Sequence, residues 1–188
     1  MTLSILDRTP ALIVIDLQKG IVDRPTVHPI GEIVERSAAL ASAFRDHGLP
    51  VVLVNVTGGA PGRTDQQRPP FTASPEFAEF VDAVGPEAGD HVVTKVRWGA
   101  FYGTSLDTYL RDRGVTQVVI VGVATSAGVE STARSAHEHG YHVVLPTDAM
   151  TDTDAASHAH SVERIFPRLA ETTTTADVLT MLGHRRST

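Results

Sequence analysis

Two ionisable side chains stand where apolar segments end, and together they could carry out acid–base chemistry. Asp16 interrupts the apolar run at 11–17 (ALIVIDL), and Lys95 lies in the run at 91–96 (HVVTKV). Taken singly, Asp16 fits a turn or capping residue, and Lys95 fits a strand-end lysine whose ammonium reaches solvent. An acid at the edge of a buried strand must, however, be solvated by loops or paired with a cation. We therefore predict that Asp16 and Lys95 pair.

A third candidate element is the segment at 122–129 (GVATSAGV), which follows the most apolar run of the chain. Thr125 or Ser126 could cap a helix that begins here, so that the backbone N–H groups at 127–129 converge on a ligand. A helix terminus of this kind attracts an oxyanion or a carboxylate. The segment matches neither the dinucleotide fingerprint nor the P-loop pattern, which disfavours nucleotide binding.

Three aromatic residues and a second cation follow Lys95 closely. Trp98, Phe101 and Tyr102 could line the apolar wall of a pocket for a ring-shaped substrate. Core packing explains two of the three equally well, and we assign Trp98 to the pocket. Arg97 could help Lys95 to attract an anionic substrate, because a net charge of −6 does not steer an anion from a distance.

Two other kinds of site find little support. A metal site is suggested by four histidines, at 137, 139, 158 and 160. Their i, i+2 spacing within predicted helices turns neighbouring ligands apart, so we expect surface or helix-end histidines and no metal. Ser126 and Ser131 are candidate nucleophiles, but neither has an evident histidine base as a neighbour.

The elements that must position these residues follow from the alternation of apolar runs with segments of helical period. This alternation predicts βαβ units around a parallel sheet that is buried on both faces. We predict strands at 11–17, 50–56, 91–96, 115–124 and 141–149, with a short strand in the ETTTT segment at 171–175. In such a sheet, ligands bind at the carboxyl ends of the strands, which is where the polar candidates lie.

Helices are predicted between the strands. The first runs from Ile30 to a stop at Gly48, and Ser74 with Pro75 begins another. The remaining helices are predicted at 105–114, from near 128 to 140, from 154 to 169, and at the end of the chain. Residues 58–73 lack periodicity and predict a long loop of the kind that often covers a site.

Length and composition limit the classes of protein to which this chain can belong. With 188 residues, 41% of them hydrophobic, the sequence predicts one globular domain over 1–188. The negative net charge gives no reason to expect nucleic acid or a membrane as partner, and the N-terminal segment lacks the pattern of a signal peptide, so we expect a cytoplasmic protein. The chain has no cysteine, which removes disulfides, thiolate metal sites and thiol nucleophiles.

The chain resembles the isochorismatase-like hydrolases, also called the cysteine hydrolase family, over nearly its whole length. The matching segments are VIDLQKG, TKVRWGAFYGTSLD, GVATSAGVESTARSAHEHGYHVVLPTDAMTD and HSVERIFPRLAETTTTADVL. The resemblance implies an α/β fold with three α/β/α layers, a six-stranded parallel sheet and Rossmann-like topology. It also implies homodimers or homotetramers, a triad of Asp, Lys and Cys, and a cis peptide that here joins Val123 and Ala124.

Carried over by position, the triad falls on Asp16, Lys95 and Gly128. Because glycine has no side chain, the thiolate attack of the family's amidases is impossible here. The nicotinamidase-type metal site is disfavoured too, because the segment after the second strand lacks closely spaced histidines. A glycine at this position resembles the members that hydrolyse the vinyl ether of isochorismate or a related acid, with release of pyruvate. No cofactor is expected.

For that reaction, Asp16 would act as the general acid, and Lys95 would hold a carboxylate of a small anionic substrate or stabilise the developing charges. The space left at Gly128 could admit substrate or water. An ammonium lowers the pKa of Asp16 whereas burial raises it, and the sequence leaves this balance open. Residues expected to bind substrate are Gln18, Arg97, Trp98, Phe101, Ala124, Thr125 and Ser126.

Two alternatives to this enzyme stay open. The first is a catalytically inactive member of the family that binds a small ligand or takes part in assembly. The second, weaker alternative is hydrolysis through water or an unrecognised serine. Retention of both Asp16 and Lys95 favours the enzyme, because a buried charge pair is costly to keep without a role.

Overall fold

The sheet of this protein is built from seven parallel strands within residues 3–66 and 71–185, the ranges that the computed structural model describes. The strands are β1 (Pro10–Ile15), β2 (Val51–Val56), β3 (His91–Lys95), β4 (Gln117–Val123), β5 (His142–Pro146), β6 (Met150–Thr151) and β7 (Glu171–Thr173). Six of them follow the order β3-β2-β1-β4-β5-β7, and the two-residue β6 pairs with the end of β4. The predicted parallel sheet is confirmed, and β6 is an addition.

Helices connect the strands. They are α1 (Lys19–Val22), α2 (Ile30–Asp46), α3 (Pro75–Ala78), α4 (Leu106–Asp112), α5 (Glu130–Glu138), α6 (Ala155–His160) and α7 (Thr175–His184). The predicted ends of α2 and the predicted start of α3 are confirmed. Gly48 follows α2 with a φ of 64°, a conformation that glycine adopts without steric cost. The Ser74 hydroxyl caps α3 by accepting a hydrogen bond from the Phe77 N–H at 3.1 Å.

Helices cover both faces of the sheet and give the three-layer α/β/α fold that the sequence predicts. On one face, the core contains Ile13, Val54 and Ile120 from the strands and Leu110 from α4. On the other face, strand residues pack against α2 and α7, including Leu12, Leu53, Val121, Phe44 and Leu182. Burial on both faces explains why β1 and β4 are continuous apolar runs rather than alternating ones.

The direction of the strand order reverses between β1 and β4. The chain proceeds outward from β1 through β2 to β3, and then returns to the other side of β1 to form β4. At such a reversal, the loops that follow the two central strands diverge and leave room for a ligand. The loop after β1 begins with Asp16, and the segment after β4 contains Gly128.

Some predicted boundaries are wrong. The helix predicted from near residue 128 starts as a π-helical turn over Thr125–Val129 before α5 begins. The helix predicted at 154–169 is α6 followed by a π-helical turn and a 3₁₀ turn.

In the predicted loop at 58–73, Gly58 forms an isolated antiparallel bridge with Thr72, and residues 67–70 lie outside the described residues.

Candidate active site

Asp16 adopts an unusual backbone conformation directly after β1. Its φ is 53°, in the left-handed region that asparagine and aspartate enter more readily than other non-glycine residues. Two backbone hydrogen bonds hold it there. Its N–H donates to the Val54 carbonyl at 2.8 Å, and its carbonyl accepts from the Gln18 N–H at 2.9 Å. The sheet therefore fixes the backbone from which the carboxylate projects.

The ammonium of Lys95 contacts this carboxylate from the end of β3, across the intervening β2. The Lys95 Nζ donates to Asp16 Oδ2 at 2.7 Å, and only 1% of the lysine side chain and 9% of the aspartate side chain are exposed. The same Nζ donates to the Arg97 carbonyl at 3.2 Å. The predicted pairing of Asp16 with Lys95 is confirmed.

The second carboxylate oxygen of Asp16 has a different environment. Oδ1 is buried and has no hydrogen-bond partner among the described residues. Burial raises the pKa of Asp16 from 3.8 to about 6, although the Coulombic attraction and the hydrogen bond of Lys95 act in the opposite direction. Burial therefore outweighs the ammonium in the balance that the sequence left open. A carboxyl group with a pKa in this range can hold and release a proton near neutrality.

Gly128 faces this pair. A Cβ atom at Gly128 would lie 3.2 Å from Asp16 Oδ2 and 2.9 Å from Ile15 Cγ2. The carbonyl oxygen of Val123 would also lie 3.2 Å from it. The position to which the resemblance assigns the nucleophile thus adjoins the Asp16 carboxylate. The expectation that the missing side chain leaves open space is wrong at the first carbon, because neighbouring atoms already surround that point.

The turn that carries Gly128 follows a cis peptide bond between Val123 and Ala124, as the resemblance implies. Two of the three N–H groups that were expected to converge on a ligand, those of Ala127 and Val129, instead both donate to the Ala124 carbonyl at 3.1 Å. The expected capping by Thr125 or Ser126 is wrong too, since neither side chain caps the turn.

Instead, both side chains bind residues from the segment that follows β6. Ser126 donates to Asp152 Oδ2 from its N–H at 2.7 Å and from its hydroxyl at 2.8 Å. Thr125 Oγ1 lies 2.9 Å from Nδ1 of His158. Sequence reasoning missed Asp152 and the role of His158 because these partners lie 26 and 33 positions away. An acid placed after a strand is the signal that could have singled out Asp152.

Thr132 joins the two loops of the site. Its hydroxyl donates to the Gly128 carbonyl at 2.7 Å and accepts from the Ala100 N–H at 3.1 Å. The loop that follows Lys95 is thereby attached to the turn that carries Gly128. Nothing in the spacing of the sequence indicates this bridge.

Two predicted binding residues belong to the framework of the site instead. Gln18 is fully buried, with Nε2 donating to the carbonyls of Val56 and Phe77 and Oε1 accepting from the Val56 N–H. Phe101 is buried in the core and stacks on His139. Both expectations are corrected, because neither side chain has a free surface to offer a substrate.

The other residues after Lys95 lie at the surface. Trp98 is 65% exposed and Tyr102 is 75% exposed, so core packing explains Phe101 alone among the three aromatics. The Arg97 guanidinium donates to the Val96 carbonyl at 2.8 Å and lies 5.8 Å from the centre of the Tyr102 ring. Arg97 therefore reaches Lys95 only through its backbone carbonyl.

Two further observations concern metal binding and membrane insertion. Within the described ranges, no group of three or more His, Cys, Asp or Glu side chains is arranged to hold a metal ion. None of the helices in those ranges is both long and apolar enough to cross a membrane.

Comparison with known proteins identifies the family. A family model of the isochorismatase domain matches residues 10–177. The chain belongs to the isochorismatase family. An uncharacterized isochorismatase family protein of Bacillus subtilis is 40% identical over 185 residues, covering 95% of this chain and 96% of the relative. Maleamate amidohydrolase of Pseudomonas putida is 29% identical and covers 94% of this chain and 88% of the relative.

A solved structure supports the same conclusion. An isochorismatase family protein of Burkholderia thailandensis has a TM-score of 0.91 and 42% sequence identity to this chain. The match covers 95% of this chain and 97% of that one. This isochorismatase-family chain is therefore related to hydrolases, although it lacks the cysteine on which the thiolate mechanism depends.

Proposed function

We propose that the protein hydrolyses a small anionic metabolite without a covalent intermediate, by proton donation from Asp16. Cleavage of a vinyl ether of the isochorismate type is the model reaction. The observation that carries the proposal is the buried Oδ1 of Asp16, which has no hydrogen-bond partner in the part of the chain that the structure describes and belongs to a carboxyl group whose pKa is raised to about 6. This oxygen is the atom that would carry and deliver the proton.

The reaction balances without a protein nucleophile. The Asp16 carboxyl group transfers its proton to the terminal carbon of the vinyl ether, whose π electrons form the new C–H bond. Water then adds to the resulting oxocarbenium carbon and returns a proton to Asp16. The tetrahedral adduct then breaks its C–O bond: its hydroxyl loses a proton as the ketone of pyruvate forms, and the leaving oxygen takes up a proton to give the alcohol.

Lys95 supports this sequence in two ways. Its ammonium, 2.7 Å from Oδ2, stabilises the carboxylate that forms when Asp16 gives up its proton. Two of its three N–H groups are directed to Asp16 and to the Arg97 carbonyl, which leaves one for a substrate carboxylate. Burial raises the pKa of Asp16 to about 6 and so favours its protonated form before the reaction, and Lys95 stabilises its conjugate base afterwards.

We further propose that the substrate contacts the surface formed by the remaining predicted binding residues. Arg97 and Trp98 belong to the loop after β3, and Ala124 and Ser126 lie at the start of the π-helical turn, whereas Thr125 is fully buried and does not belong to this surface. Burial of Thr125 corrects its assignment as a binding residue, and the Ser126 side chain, which is bound to Asp152, contributes to the shape of that surface.

Amide hydrolysis of the kind that the maleamate relative's name describes is less well supported. The thiolate route needs a sulfur nucleophile, and the chain contains no cysteine. The pair of Thr125 and His158 is no substitute, because Thr125 is fully buried.

The test is pyruvate release from isochorismate by the wild-type protein and by Asp16→Asn. The asparagine keeps the shape and an acceptor for Lys95 but has no acidic proton, so kcat is expected to fall by at least about 100-fold. Asp23→Asn, an exposed residue just after α1, is the matched control and should retain the wild-type rate.

Circular dichroism of each variant confirms folding before the rates are compared. Saturable binding of isochorismate without pyruvate release would contradict the proposal and favour a ligand-binding member of the family. Equal rates in Asp16→Asn and the wild type would also contradict it.

A further inference from the structure

A second group of residues adjoins the candidate active site on the β4 side, and it is centred on His158. Nδ1 of His158 lies 2.9 Å from the Thr125 hydroxyl, and the ring of His28 meets the His158 ring edge to face at a centroid distance of 4.8 Å. His28 is tied in turn to Thr151, whose hydroxyl accepts from the His28 N–H at 3.0 Å. Neither histidine takes part in the reaction as proposed above.

We propose that His158 is a positioning residue, which accepts a hydrogen bond from Thr125 and thereby holds the turn at 125–129 so that Gly128 lies against Asp16. The proposal rests on the proposed function only in assigning the reaction to Asp16. It assigns a role at the candidate active site to His158, a residue of α6.

The first argument is that the Thr125 hydroxyl needs a partner. Thr125 has no exposed surface, and a buried hydroxyl without a hydrogen bond costs about 1–3 kcal/mol. His158 supplies the partner from outside the turn.

The second argument concerns the turn itself. Single π-helical turns are rare and are often found at functional sites, where tertiary contacts maintain them. This turn has no side-chain cap at its start, and its first two residues are held by contacts to His158 and Asp152. Ser126 makes two hydrogen bonds to Asp152, so loss of the His158 contact would loosen the start of the turn rather than unfold it.

The third argument is that His158 is suited to accept a hydrogen bond. A neutral imidazole with its hydrogen on Nε2 presents Nδ1 as an acceptor. Burial, together with the facing ring of His28, lowers the pKa of His158 and outweighs the opposing effect of Asp152. Two other titratable groups belong to the same helix as His158. They are Asp154, which caps α6, and the exposed His160.

The test compares His158→Ala with His158→Asn, because the asparagine Oδ1 can take the place of Nδ1 as an acceptor. His160→Ala, an exposed histidine on the same helix, is the matched control. In His158→Ala, kcat for pyruvate release should fall at least tenfold, whereas His158→Asn should stay within threefold of the wild type. A merely structural role would lower thermal stability in both variants without separating their rates.

A second readout does not depend on turnover. The Asp16 carboxyl group is titrated by ¹³C NMR in the same proteins. If the turn loosens, water reaches Asp16 and its pKa should fall from about 6 towards or below 3.8 in His158→Ala, but not in His158→Asn or His160→Ala.

An unchanged Asp16 titration in His158→Ala would overturn the proposal, as would equal kcat values for the alanine and asparagine variants. If the wild type releases no pyruvate, the proposed function fails while the titration still decides the role of His158.

Discussion

At the scale of single residues, the protonation state of Asp16 depends on burial more than on its partner. A close ammonium ordinarily lowers the pKa of a carboxyl group, yet here the pKa is raised because the carboxylate is withdrawn from water and Oδ1 has no donor among the described residues. The ammonium of Lys95 reduces this effect without reversing it. The Asp16 carboxyl group therefore keeps its proton to a higher pH than an exposed aspartate does.

This balance predicts a pH dependence. With Asp16 as the proposed general acid, kcat/KM should decline tenfold for each pH unit above about 6, the pKa of Asp16 in the free protein. The pH profile of pyruvate release between pH 5 and pH 8 measures this decline. The residual activity of Asp16→Asn should lack it, and a level wild-type profile over that range would contradict the assignment.

The same shift has a consequence for stability. The folded-state pKa of about 6 lies above the ordinary value of 3.8, so the folded protein binds more protons than the unfolded chain between these values. Stability contributed by protonated Asp16 is therefore fully present below about pH 4 and is lost as the pH rises through 6.

The sequence predicted this pair but not all of its neighbours. Asp16 and Lys95 could be paired because each ends an apolar strand at the same edge of the sheet. The direction of the Asp16 pKa could not be predicted, because it depends on how completely the loops exclude water. The buried positions of Gln18 and Phe101 could not be predicted either, since polar and aromatic residues beside a site can face either way.

At the scale of elements, the turn at 125–129 takes the place of an ordinary helix start. Apolar periodicity located β1, β4 and α2 because these elements are long and buried on defined faces. It could not locate the π-helical turn or β6, which are short and depend on partners distant in sequence. The residues that hold the turn, Asp152 and His158, were missed for the same reason.

Gly128→Cys tests the placement of this turn. The new side chain would meet Ile15 and Asp16, so an overpacking cost of about 1–3 kcal/mol should lower the melting temperature. Its thiol would lie beside Lys95, which stabilises a thiolate, and beside Asp16, which can accept the proton. We expect alkylation by iodoacetamide at pH 6.5 to be at least tenfold faster than for an exposed thiol, as followed by intact mass.

Gly183→Cys is the matched control, because that glycine is exposed on α7 and a Cβ there would have no described atom within 4 Å. The wild-type chain has no cysteine, so each variant carries a single reactive thiol. Equal or slower labelling of Gly128→Cys would contradict the placement of Gly128 beside the ionic pair.

At the scale of the whole molecule, one edge of the sheet is incompletely covered. β3 lies at this edge, and Val92, Val96 and Tyr102, on or after it, are 44%, 47% and 75% exposed. Exposed apolar residues on an edge strand favour association, which removes them from water. We propose that a second copy of the chain covers this surface.

The expected result is a particle of two or four chains in light scattering coupled to size-exclusion chromatography. The double variant Val92→Asp with Val96→Asp should reduce the mass to that of one chain, because it places charge on the covered surface. Ile5→Asp is the control, since Ile5 is 61% exposed but lies far along the chain from β3. A wild-type protein with the mass of one chain would contradict this expectation.

The glycine that faces Asp16 also determines which kinds of damage the protein can suffer. Hydrogen peroxide inactivates thiolate enzymes by converting their sulfur to sulfenic acid and then to irreversible higher oxides. Here neither the catalytic centre nor any other position offers a thiol to oxidise. The proposed chemistry of a carboxyl group and an ammonium involves no sulfur, so we expect activity to survive a peroxide treatment that inactivates thiolate enzymes.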